Sequence, residues 1–82
     1  MSVQSIEFEG TDIRVAELQT GRYFNKADLL RVAGRKPQQE TESQYLDILE
    51  ASKLVGFERE TLLNAMQLWA PHLCRNRMVE LH

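Results

Sequence analysis

Five cations, Arg22, Lys26, Arg31, Arg35 and Lys36, fall within residues 21–36 against one acid, Asp28. Tyr23 and Asn25 are interleaved with them. These residue types suit contact with nucleic acid. Arg can engage guanine edges bidentately, Asn can do the same with adenine, and Lys reaches mainly phosphates. A short helix bearing base and flanked by turns is a surface on which such contacts form. The same residues also have plainer uses: Asn25 as a helix cap, Tyr23 and Phe24 as core, the cations as a solvated face. The candidate DNA contacts are therefore Arg22, Tyr23, Asn25, Lys26, Arg31, Arg35 and Lys36.

Catalytic chemistry has no comparable signal. His72 and His82 are the only histidines, and neither has a carboxylate or nucleophile at recognisable spacing. Cys74 lies beside Arg75 and Arg77, which would lower a thiol pKa at close range, but no base neighbours it. Gly10, Gly21, Gly34 and Gly56 stand at separate turns or helix ends rather than in a phosphate-binding loop. Met66 and Trp69 are at helical spacing and read as core. The sequence points to a binding protein with no metal or cofactor, and not to an enzyme.

The net charge of −2 conceals a segregated pattern. Residues 1–20 sum to −3 through Glu7, Glu9, Asp12 and Glu17 against Arg14, whereas residues 21–36 sum to +4. Residues 37–50 return to −4 through Glu40, Glu42, Asp47 and Glu50. Such segregation can present a basic face on an acidic body, or let the acidic block neutralise the basic one.

The elements that must position these residues follow from periodicity. Residues 3–9 alternate apolar and polar, as a half-buried strand does. Gly10-Thr11-Asp12 has turn chemistry, with Gly10 free to take positive φ, and residues 13–18 read as a second strand. Gln19 to Arg22 forms another turn leading into Tyr23-Phe24. Asn25 should cap a helix whose stripe is Leu29, Leu30, Val32 and Ala33, with Gly34 as its C-terminal glycine. Pro37 breaks the chain, and Tyr45, Ile48, Leu49 and Leu54 predict a second helix over residues 41–55 closed by Gly56. Leu62, Leu63, Met66 and Trp69 predict a third helix up to Pro71. Residues 78–81 fit either a strand joining the hairpin or the end of a short helix. The expected fold is α+β, an N-terminal β-hairpin packed on about three helices with a late C-terminal strand as an option.

Eighty-two residues suffice for a single domain, 1–82, with a small core and modest stability. A homodimer would help such a core, and the sequence leaves that open. Cys74 alone cannot form an internal disulfide, and no apolar run approaches the roughly 18 residues that span a bilayer. No signal peptide is evident, so a cytoplasmic protein with no membrane partner is expected.

Residues 21–36, Gly-Arg-Tyr-Phe-Asn-Lys-Ala-Asp-Leu-Leu-Arg-Val-Ala-Gly-Arg-Lys, resemble the KilA-N domain of phage and viral DNA-binding proteins, a relative of fungal APSES domains. The family pattern there runs approximately Gly-Tyr-Ile/Val-Asn-Ala-Thr-x-Leu-x-Lys-x-x-Gly-Lys. Residues 8–14 are similar to the strand and turn that open many such domains, Gln44-Tyr45-Leu46 to the start of the next helix, and residues 63–73 to the late helix. Ala27 stands where the family usually carries Thr, and Pro37-Gln38-Gln39 replaces a Trp often found after the basic helix. The resemblance spans most of residues 6–80 and implies a small phage- or prophage-type regulatory domain that binds double-stranded DNA. The acidic segments support another class, a protein-interaction module such as a phage-encoded inhibitor of a host protein or defence complex.

Overall fold

The computed structural model describes residues 2–56, 64 and 78–81. Alternation in the first two segments builds β1 (Ser2–Phe8) and β2 (Thr11–Leu18), paired antiparallel from Ser2 opposite Glu17 to Phe8 opposite Thr11. The turn between them is Glu9-Gly10, one residue earlier than its chemistry suggested. Both residues take positive φ, 50° and 81°, as a two-residue hairpin turn of matched twist requires.

A third strand, β3 (Gly21–Asn25), follows after Gln19-Thr20, so Tyr23-Phe24 belongs to the sheet rather than to a connection. Both rings are fully buried, on opposite faces. Phe24 opposes Val15 and joins the main core with Ile6, Ile13, Leu29, Val32, Leu46, Ala51 and Val55. Tyr23 opposes Ala16 and forms a second cluster with Tyr45, flanked by Leu18, Val79 and Leu81.

Helix α1 (Lys26–Val32) begins and ends where its caps place it. The Asn25 side chain accepts from the Asp28 backbone N–H at 3.0 Å. At the other end Gly34 takes φ 76°, its N–H donates to the Arg31 carbonyl, and the Arg35 N–H donates to Leu30 at 2.8 Å. This pair of bonds is the Schellman arrangement, and it turns Arg35 off the helix axis.

The helix expected over residues 41–55 is two elements and a strand. A 3₁₀ helix, Gln39–Ser43, leads into β4 (Gln44–Leu46), and only then does α2 (Ile48–Val55) start. Asp47 makes the division: it is buried, and its carboxylate accepts from the Glu50 N–H at 2.9 Å as an N-cap. Leu49, counted on the predicted apolar stripe, is exposed, while Ala51 and Val55 are buried. Gly56 closes α2 with φ 79°, as predicted.

Two α-helices, not three, stand among the described residues. The segment expected to hold the third lies outside them apart from Asn64, which is helical and exposed. Trp69, His72, Cys74 and His82 also lie outside the described residues. The late strand exists as β5 (Met78–Glu80), paired antiparallel with β4 rather than with the hairpin. The sheet thus runs β1-β2-β3-β4-β5, all antiparallel, with β1 and β5 at its edges. Among the described residues, no helix is long and apolar enough to cross a membrane.

Candidate functional site

The cations of residues 21–36 divide into two environments. Arg31, on the exposed side of α1, joins a compact ionic network that also takes in Arg14, a residue the sequence did not single out. Its centre is Asp28, buried on α1 with only 4 % exposure. One Asp28 oxygen accepts from the Arg14 backbone N–H and from Arg14 Nε, both at 2.9 Å. The other accepts from Arg31 Nη1 at 2.6 Å. Outside them sits Glu42 of the 3₁₀ helix, with Oε2 2.7 Å from Arg14 Nη2 and Oε1 2.7 Å from Arg31 Nη2. Two guanidiniums thus meet two carboxylates, and the local charge cancels.

Asn25 belongs to this network and not to an outer surface. It is fully buried. Its oxygen accepts from the Asp28 N–H and from Arg14 Nη2, and its Nδ2 donates to the Glu42 carbonyl at 2.9 Å. No amide hydrogen-bonding capacity faces solvent where a base edge could reach it. Tyr23 is equally enclosed, its hydroxyl 2.7 Å from Thr20 Oγ1, so its ring offers no stacking platform without opening the sheet's second cluster. Arg22 is half-buried on β3, its Nε 3.9 Å from Glu17.

The network also sets protonation. Hydrogen bonds first from Arg14 and then from Arg31 hold the Glu42 carboxyl below its usual range. Asp28, followed by Glu42, raises Arg14 further above an already high value, so it stays charged at every working pH.

Lys26, Arg35 and Lys36 are placed differently. Among the described residues none of the three has a salt bridge; Lys26 is half-buried, and Arg35 and Lys36 are exposed. Lys26 at the start of α1 and Arg35 just past its end reach the same groove, of about 460 Å³, between α1, α2 and the β4–β5 edge. Leu46, Leu54 and Met78 supply its apolar lining, and Glu50 and Lys53 of α2 line it as well. The Glu50–Lys53 pair is loose, 3.5 Å on an exposed helix turn, and so contributes little. Among the described residues, three cations against one acid leave the groove rim net positive. Lys53 was not among the predicted contacts, because it is distant in sequence and reaches the rim only through the packing of α2 on α1.

Lys26 has no helix-stabilising role at its position. A cation in the first turn opposes the helix dipole, whereas Arg35, just past the last turn, complements it. Among the described residues, no group of three or more His, Cys, Asp or Glu side chains could hold a metal ion. No protein-family model matches the chain, and no curated protein or solved structure matches it.

Proposed function

We propose that this protein is a small DNA-binding module whose phosphate contacts come from the rim of the α1–α2 groove. Lys26, Arg35 and Lys53 supply them, and Lys36 extends the surface at the turn after α1. The observation that carries the reading is the convergence of three cations on one groove while Arg31 and Arg14 are neutralised elsewhere. The KilA-N-like run at residues 21–36 supports the same reading, and with it a regulatory role of phage or prophage type in the cytoplasm. Arg22, Tyr23, Asn25 and Arg31 then serve the scaffold, and the backbone of the duplex is read by charge more than by base edges.

Fluorescence anisotropy of a labelled duplex, at about 50 and 200 mM salt, tests this. The protein should bind, and more weakly at the higher salt, because each neutralised phosphate releases counterions. Lys26→Glu with Arg35→Glu should weaken binding about tenfold or more at low salt and flatten the salt slope by about 2. Unchanged affinity in that double variant would remove the groove from the account.

A second observation favours a protein partner. Glu7 and Asp12 are exposed and directly opposed on β1 and β2, like charges that cost stability unless a cation comes between them. β1 is also an edge strand of the described sheet, with no described strand on its outer side. A basic segment added along β1 would satisfy both features. A nuclease-insensitive, stoichiometric partner whose binding is lost in Glu7→Lys would establish this second reading.

A further inference from the structure

The Glu42 carboxylate is not needed to satisfy any buried group of the ionic network; the buried Asn25 amide is met by the Glu42 backbone carbonyl. Asp28, the buried member, has both oxygens engaged by Arg14 and Arg31 without it. The Asp28 carboxylate pins the two guanidiniums side by side, and Asn25 holds Arg14 Nη2 from a third direction. What Glu42 occupies is the outward side of that pair, where one Nη2 from each arginine converges on a single carboxylate at 2.7 Å. Its side chain is 42 % exposed and enters from a different element, 14 residues past Asp28.

We infer that Arg14 and Arg31 form a phosphate-type oxyanion site, in which the Glu42 carboxylate is an intramolecular stand-in for the ligand. The chemistry matches at each point. A phosphate presents two oxygens side by side as a carboxylate does, accepts charge-assisted bonds from paired guanidiniums, and carries more charge. The site is pre-organised, because Asp28 and Asn25 fix the donors whether or not the outer position is filled. Asp28 cancels one of the two positive charges, so a filled site needs one further negative charge at least. Glu42 can leave without disturbing its own backbone, since the Asn25 amide holds the Glu42 carbonyl independently of the side chain.

An intramolecular competitor that fills the site most of the time lowers apparent affinity by the fraction of time the site is open. Removing it exposes the intrinsic affinity. Where the phosphate is a backbone phosphate of DNA, the inference rests on the proposed function; where it is a free ion, it does not.

The test compares the full chain with Glu42→Gln and Glu42→Ala, following the Arg14 and Arg31 Nε–H signals by NMR during titration with inorganic phosphate. Both variants should bind phosphate about tenfold more tightly than the parent, given a site open about one tenth of the time. The gain should vanish when Arg31→Gln is added. Backbone amide dispersion confirms folding in each variant, and the agreement of two substitutions guards against an effect of one side chain. Equal response in parent and variants, or a gain that survives Arg31→Gln, overturns the inference. Titration with a duplex then separates the sources: a matching gain in DNA affinity assigns the site to backbone phosphates. A gain for inorganic phosphate alone assigns it to a free ion, and that result stands even if the parent binds no DNA.

Discussion

Arg31 and Arg35 are four residues apart and carry the same group, yet they serve opposite ends. Arg31 lies on the last turn of α1 over buried Asp28, and its charge is paired within the molecule, at the surface, with Asp28 and Glu42. Arg35 follows Gly34, where the chain has left the helix, and lines a groove with Lys26 and Lys53. The difference teaches that cation count is a poor measure of a binding surface. What matters is whether a buried acid lies within reach, and one glycine decides it here.

Removing the acid is the largest way to break this contrast. Asp28→Ala takes away the pin that holds β2 to α1 and strands the Arg14 backbone N–H. It should cost about 2–3 kcal/mol in a urea melt, less than a fully buried pair because both arginines can turn to water. Gly34→Ala tests the joint between the two environments. A Cβ there meets nothing within 4 Å, so the penalty is the strain of φ 76° alone, about 1 kcal/mol. It should show as a lower denaturation midpoint with the slope unchanged.

Arg31→Gln sharpens the contrast from the other side. With Glu42 in place, the substitution should change duplex affinity less than about threefold, equivalent to roughly 0.7 kcal/mol. A tenfold loss by anisotropy would mean that the pinned arginines, and not the groove, carry the contacts. The smallest effect is acid-dependent. Glu42 is held ionised below the usual carboxylate range, so the folded chain takes up its proton at lower pH than the unfolded chain. Its contribution is complete above the unfolded value of about 4.3 and is lost as pH falls through the lower folded value. The melting-temperature difference between the parent and Glu42→Gln should therefore be constant near neutrality and vanish in strong acid.

The parts of this architecture legible in the sequence are those with local causes. Asn25 and Gly34 bracket α1, and period-2 alternation gives β1 and β2, because caps and pleats act within a few residues. β3 was hidden since Tyr23 and Phe24 are both buried, one on each face, and so show no alternation. The Asp47-x-x-Glu50 pattern that starts α2 was present as a capping signal, but the apolar spacing through Tyr45 and Leu49 overrode it. In the site, Lys26, Arg35 and Lys36 could be singled out from charge alone. Arg14 could not, because an arginine between Ile13 and Val15 looks like the solvent side of a strand. Only the return of α1 across β2 brings Asp28 beneath it. The neutralisation of Arg31 by Glu42 depends equally on a contact that no local rule foretells.

The central claim is that the groove cations, and not the pinned arginines, meet the phosphate backbone. Side-chain-resolved NMR with a short duplex tests it most directly, following lysine Nζ and arginine Nε signals in one titration of the parent protein. The account predicts saturable shifts at Lys26, Arg35 and Lys53, with Arg14 and Arg31 moving little while Glu42 is in place. Shifts centred on Arg14 and Arg31, with the groove signals still, would contradict it.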